Sequence, residues 1–352
     1  MIFSSLKIRK HTYHLIHLIF VMFTFHRLSG QQLPYYAVFR ENWVLLNPAF
    51  LDHFYLEDND RTAILNCSHR EQWIGFEGAP RQSSVRLENI LVNKRKARLN
   101  VPRMKWGLGA ENEKIGDFSR SGVLANYAYI FNLSDLTTIS TGFSTTFSNN
   151  VISLNPVTFK DWQNDVAAQS LENINSWFGK MDVGIFIRHK PKDRFSKIDN
   201  YYVGISAMQL ASMDFPFESN ILDRFKKPHF NFLAGLFIGE QAKGGSYSTY
   251  LEPSVWIRYL PGTTFKLFDI VMPVSTDFSL RLFVNEKIWI GSGFGTSGNL
   301  SIDTGYSFQK GRKKRNMHEP RIRMGALCNI PVLGSPIGYS VEAFIGLGLA
   351  SY

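Results

Sequence analysis

The chain has 352 residues, 44% of them hydrophobic and 14% aromatic, with 39 basic and 29 acidic side chains giving a formal charge of +10. This apolar content excludes a disordered chain, and two widely separated cysteines, Cys67 and Cys328, exclude a disulfide framework. Lys7, Arg9, Lys10 and Arg27 fall in the first thirty residues with no acid, so the remainder carries 35 minus 29, or +6. That excess does not by itself indicate nucleic-acid binding.

The first segment reads as an export signal. Lys7, Arg9 and Lys10 precede an apolar stretch from Leu15 to Phe25, and Leu28-Ser29-Gly30 places a small residue before Gln31. This layout predicts a signal peptide over residues 1–30, with a single membrane anchor as the alternative. The absence of Cys at the expected cleavage point excludes a lipoprotein reading. Beyond Gln31 no apolar run approaches the ~18 residues of a spanning helix. A membrane-embedded mature chain must then be a closed barrel, because only helices and barrels satisfy their own backbone polar groups in lipid. Residues 31–60 are expected to form an N-terminal periplasmic or lumen segment, and 61–352 the barrel. Within the first of these, Asn47-Pro48 favours a turn followed by extended chain and is expected to set the start of the first strand.

From residue 61 onward, period-2 alternation recurs. In Met181–Arg188, Met181, Val183, Ile185 and Ile187 share one face. In Asn299–Phe308, Leu300, Ile302, Tyr306 and Phe308 oppose Asn299, Ser301, Asp303 and Ser307. Similar segments start near Arg61, Ser83, Met104, Val123, Thr137, Asn200, Phe230, Tyr250, Ser275, Lys287, Glu319 and Gly338. The total is about 14 strands, several of them reaching the ~9–11 residues a tilted strand needs to cross a bilayer; soluble strands average ~5–6. The predicted fold is therefore an all-β transmembrane antiparallel barrel. Both chain ends then lie at one rim, and the longest connections, around 149–179, 209–228 and 260–274, lie at the other, the outer one. Asn132–Asp135, Glu240–Ser246 and Asn285–Glu286 read as tight periplasmic turns. Cys67 and Cys328 fall in phase with apolar neighbours.

Three basic clusters land on the periplasmic connections. They are Lys94-Arg95-Lys96, the stretch Arg188–Lys197 with Lys192 and Arg194, and Lys310–Arg315 with Arg312, Lys313, Lys314 and Arg315. Gathered at one rim they would suit an anionic partner or lipid head groups; solvated turns without a partner would look the same.

Several short elements resemble, in order and spacing, the PorP/SprF family of Bacteroidetes membrane proteins. They are Gln31-Gln32-Leu33-Pro34, Asn47-Pro48-Ala49-Phe50, Arg70-Glu71-Gln72-Trp73, Gly75, Gly78-Ala79-Pro80, Gly107-Leu108-Gly109, Tyr127-Ala128-Tyr129, Trp289-Ile290-Gly291, Gly305-Tyr306-Ser307 and His318-Glu319. Leu51-Asp52 departs from the glycine usual after the Asn-Pro-Ala-aromatic element. The resemblance implies a non-catalytic barrel of the bacterial outer membrane, linked to type IX secretion and gliding motility. It would support export or surface anchoring of a secreted adhesin by binding its terminal segment, with other secretion components as further partners. An outer-membrane channel for small solutes is the alternative, and an outer-membrane hydrolase a third reading.

Arg70 and Gln72 share a strand face that would be the lumen. There, with Asn126, they would hydrogen-bond an inserted peptide or close the pore in a lumen network. Asn47, Pro48, Trp73, Gly75, Gly78 and Pro80 are expected to be structural: turns for the glycines, an interface anchor for Trp73. His318-Glu319 has no second ligand placed beside it by spacing, and no phosphate loop, nucleophile elbow or Cys-x-x-Cys occurs. No cofactor or metal is expected.

Overall fold

The computed structural model describes residues 40–52, 61–91, 103–153, 174–191, 198–214, 228–241, 247–261, 265–267, 270–272, 274–285, 287–296, 298–309, 320–332 and 339–350. The signal segment, the three basic clusters from Lys94, Lys192 and Arg312 onward, and His318-Glu319 lie outside them.

One turn of helix, α1 (Trp43–Leu46), precedes the sheet. The strands are β1 (Arg61–Gln72), β2 (Arg81–Leu91), β3 (Arg103–Ile115), β4 (Phe118–Asn132), β5 (Thr137–Ile152), β6 (Ile174–His189), β7 (Ile198–Asp214), β8 (His229–Gln241), β9 (Tyr247–Tyr259), β10 (Phe265–Leu267), β11 (Ile270–Met272), β12 (Val274–Val284), β13 (Ile288–Gly295), β14 (Asn299–Gln309), β15 (Arg321–Pro331) and β16 (Ser340–Ala350). Fourteen of them close into an antiparallel barrel in chain order, with β16 returning to β1; β10 and β11 form a separate hairpin in the β9–β12 connection. All fourteen alternating segments read from the sequence fall on barrel strands.

Closure removes the sheet edge, and the alternation then has one meaning: every second residue faces outward. The outward set is apolar and exposed, as with Val123 (60%), Ile205 (56%) and Ile290 (58%). The inward set is polar and buried, including Arg86, Asp182, Glu252, Arg281 and Arg323. This inverts the distribution of a water-soluble protein, and lipid is the solvent that makes it stable. Outer aromatics gather towards both rims. Phe147 stacks on Trp177 and Phe230 on Tyr259 towards one, while Tyr129 and Phe131, and His189 and Tyr201, meet towards the other. Two such girdles bracket the apolar band of an outer-membrane barrel.

We call the rim where β1 begins and β16 ends proximal, and the opposite rim distal. The longest connections are distal, as the strand count predicts. The asymmetry is incomplete, because the tight turn Gly116-Asp117 and the short β13–β14 connection are distal too. Cys67 and Cys328 are both free, half-buried thiols.

Candidate functional site

The lumen is occupied by the chain's own N-terminal segment, residues 40–52, which is buried almost throughout. Two rows of wall residues receive it, each running straight across paired strands.

The first row holds Leu46 to Phe50. Lys105, Ala128, Gly142, Gly184, Ser206 and Asn231 are successive register partners across β3 to β8. The plug lies along this row. Phe50 O accepts from Lys105 Nζ at 2.5 Å, and Leu46 O accepts from Ser206 Oγ and, at 3.2 Å, from Asn231 Nδ2. Between them the wall is glycine, and that space is used. A Cβ on Gly142 would lie 2.8 Å from Pro48 C and Ala49 N, and one on Gly184 would lie 2.0 Å from Asn47 Oδ1. Asn47 bonds in three directions. Its Nδ2 donates to Ile185 O (3.1 Å) and Ile205 O (3.3 Å), and its Oδ1 accepts from Ala49 N (2.9 Å). Asn suits this position because its amide offers both donors and an acceptor. The Asn-Pro-Ala element therefore does not set the start of β1, which begins at Arg61; it docks on the inner wall of β5, β6 and β7. Chain order placed it near β1, but only the closed wall reveals its partner.

The second row holds Arg40, Glu41 and Asn42. Glu252, Arg281, Gly291, Asp303, Leu327, Glu342 and Arg70 are successive partners from β9 through β16 to β1. Arg281 is the hub. Its Nε donates to Asp303 and its Nη1 to Glu41 at 2.9 Å, and Arg323 approaches the same Glu41 carboxylate at 3.5 Å. Gly291 lets the Arg281–Asp303 pair reach across β13, since a Cβ there would lie 1.8 Å from Asp303 Oδ1. Arg40 pairs with Glu252 at 3.4 Å and donates to Ser254, and Asn42 donates to Glu342 at 2.8 Å. Arg86 and Asn66 donate to Glu41 O.

Two residues further towards the proximal rim, about 7 Å along each strand, the same strands carry rings. Tyr250, Phe283, Trp289, Gly305, Gly325 and Phe344 are again one register row. Tyr250 and Phe283 stack at 4.4 Å, Phe283 and Trp289 at 5.8 Å, and Trp289 reaches Phe344 at 6.0 Å. Trp289 covers two strands because both are glycine beneath it: a Cβ on Gly305 would lie 1.9 Å from its ring. Phe237, Tyr202 and Phe186 extend the belt across β8, β7 and β6, and Phe50 and Trp43 of the plug meet it edge-on, at 5.0 Å from Phe186 and 4.9 Å from Tyr202 respectively. Arg323 lies 5.1 Å over Trp289, joining the charged and aromatic rows.

Arg70, Gln72 and Asn126 are all buried on the lumen side. Arg70 and Gln72 lie near the distal end of β1, the former on the charged row. Asn126 sits opposite Gly107 and Ser144, with both amide atoms buried and no hydrogen-bond partner. The three do not form one cluster. Gly75 and Gly78 take φ of +95° and +73° in the β1–β2 turn, Trp73 precedes them at +50°, and Pro80 O accepts from Gln72 N. Arg188, at the proximal end of β6, is buried on the lumen side. Arg281, Asp303, Glu41 and the belt were missed in the sequence. Their one local trace is a large aromatic on the otherwise polar face, as at Phe186, Phe283 and Phe344. Among the described residues, no group of three or more His, Cys, Asp or Glu is placed to hold a metal ion.

A closed fourteen-strand barrel with a lipid-facing apolar band and a lumen filled by its own N-terminal segment is an outer-membrane barrel, and its place is the bacterial outer membrane. More particularly, the chain belongs to the type IX secretion system membrane protein PorP/SprF family, whose profile matches residues 28–332. No curated protein matches the sequence. Similar solved structures include the TodX monoaromatic hydrocarbon channel deltaS2 mutant, at 9% identity over 89% of this chain and 94% of that one, with a TM-score of 0.49. The Ralstonia pickettii toluene transporter TbuX is similar at 9% identity, 89% and 94% coverage and a TM-score of 0.48. The transport unit of the autotransporter AIDA-I from Escherichia coli follows at 9% identity, 92% and 100% coverage and a TM-score of 0.43. The family and these structures are secretion components, channels and transporters.

Proposed function

We propose that this protein supports export or surface anchoring of a secreted adhesin, by binding a terminal segment of that protein at the distal half of its lumen. The observation that carries the reading is the filled lumen. Among the described residues, 40–52 and the aromatic belt fill the lumen along their own rows, and the polar wall positions distal to those rows are the ones left for a partner. Those positions carry hydroxyl, amide and paired charged groups, such as Gln72, Gln82, Ser148, Asn150 and the Arg258–Asp277 pair at 2.9 Å. Extended polypeptide suits such a surface, because its backbone groups find partners there while its side chains set selectivity. Arg70 and Gln72 are the proposed contacts at the mouth, with Asn126 deeper as an amide still lacking partners. The basic clusters from Lys94, Lys192 and Arg312 onward, on proximal connections, are proposed as a rim for an anionic partner. A permanently open solute channel is disfavoured by the same plug.

The test is site-specific crosslinking. A photoreactive side chain at Gln72 or Gln82 in cells is expected to trap a secreted surface protein or a secretion component. One at the lipid-facing Val123 is not. Equal yields from both positions, or none from either, would count against the reading.

A further inference from the structure

We infer that residues 40–52 are a releasable plug, and that the protein has a second state in which a pore opens along the glycine wall of β5 to β7. This goes beyond the docking function and does not depend on the identity of any bound segment.

The wall is built to lose the plug. A group committed to a permanent core has its hydrogen bonds met by that core, and removal of the core leaves it unsatisfied, which is costly. Here several of the wall groups that hold the plug have a second partner on the wall itself, whereas Asn66 gives up its bond to Glu41 O and Glu342 its bond from Asn42. Arg281 keeps Asp303 when Glu41 leaves. Lys105 and Arg86 both keep Glu88, at 3.5 and 3.4 Å. Asn231 keeps Ser206 at 3.3 Å and Trp256 Nε1 at 3.1 Å, and Ser68 keeps Ser84 at 2.8 Å. Glu252 keeps the Tyr202 hydroxyl at 3.0 Å when Arg40 withdraws. The plug's polar backbone and charges, for their part, find water on release, whereas Trp43, Leu46, Phe50 and Leu51 leave the buried apolar cluster they share with the belt, and that loss keeps the plugged state the resting one.

The fit is also asymmetric. On the β9 to β16 side the wall fills its own space with rings and ion pairs. On the β5 to β7 side it has Gly142, Gly184 and Gly204, whose space is taken by Asn47, Pro48 and Ala49. Among the described residues, withdrawal of the plug therefore leaves a gap on that side that no wall side chain fills. The opening is lined by backbone and hydroxyl groups opposite an aromatic surface, and suits small hydrated solutes.

The experiment is single-channel conductance of the full-length protein in planar bilayers. Gly184→Leu places a side chain where Asn47 sits and is expected to convert a silent barrel into one with steady current steps. Glu41→Gln weakens one latch and is expected to raise the open fraction on the order of tenfold. It also serves if Gly184→Leu does not give a folded, heat-modifiable band. Asn42→Cys with Ser68→Cys, in a Cys67→Ser, Cys328→Ser background, allows the plug to be tied to β1 by oxidation or a short bis-maleimide, because the two native side chains meet at 3.3 Å. The tie is expected to silence the Glu41→Gln currents, and its reduction to restore them. Folded variants as silent as the native chain would overturn the inference, as would currents that persist with the plug tied. The crosslinking test of docking reads a different signal, so either can fail alone.

Discussion

Removing the Arg281 side chain is expected to destabilise this barrel far more than removing its plug partner. Arg281 is 1% exposed and binds Asp303 on the wall and Glu41 on the plug, which are 4% and 4% exposed. Arg281→Met fills a similar volume but leaves two buried carboxylates. Arg323, at 3.5 Å from Glu41, serves only one of them. Breaking a buried pair by deleting one partner costs about 3–5 kcal/mol. Glu41→Gln keeps a hydrogen-bond acceptor and leaves Arg281 paired with Asp303, so its expected cost is about 1–3 kcal/mol. The assay is urea unfolding of the protein in lipid vesicles, followed by tryptophan fluorescence. Combining Arg281→Met with Asp303→Leu removes the stranded acid and should recover about 2 kcal/mol of the single-variant loss, a coupling a double-mutant cycle resolves. Equal costs for Arg281→Met and Glu41→Gln, or additivity of the pair on the wall, would refute the claim that the hub ion pair belongs primarily to the wall.

Three further outcomes follow from the same structure. Ile205→Arg, on a lipid-facing position 56% exposed between Ile185 and Phe232, should cost about 2–4 kcal/mol if it lies near the bilayer midplane, measured by the same unfolding titration. Gly305→Ala sets a methyl group 1.9 Å from the Trp289 ring, so it should cost about 1–3 kcal/mol by overpacking. The heat-modifiable band should shift at lower temperature, and Trp289→Leu should suppress the defect. Because both cysteines are free, gel mobility should be the same with and without reductant.

The barrel was legible because its information is local. A strand with two solvents, lipid outside and a polar lumen inside, must alternate, and fourteen such stretches leave a record in any window of ten residues. Ile302 and Asp303, neighbours in the chain, already show which face is which. The family elements were legible too, but not what they do. Asn47-Pro48-Ala49 reads as a turn before a strand. Its role appears only when Gly142, Gly184 and Gly204, about 95 to 157 residues later, are brought into one inner wall. Arg70 and Gln72 share one buried face of β1, since residues two apart on a strand point the same way. No local rule assigned them a level in the lumen.

By itself, then, the order of residues determined the class of structure, the number of spans and the side of the wall each side chain takes, since these depend on neighbours one or two positions apart. Closure of the sheet decided the rest. It made Glu252, Arg281, Asp303 and Glu342 one row, let Trp289 lie across two glycines, and turned residues 40–52 from a leader of a barrel into its stopper. Such contacts join residues as many as 300 positions apart, as Asn42 joins Glu342, and their partners are fixed by strand register around a closed circumference, which only the folded chain possesses.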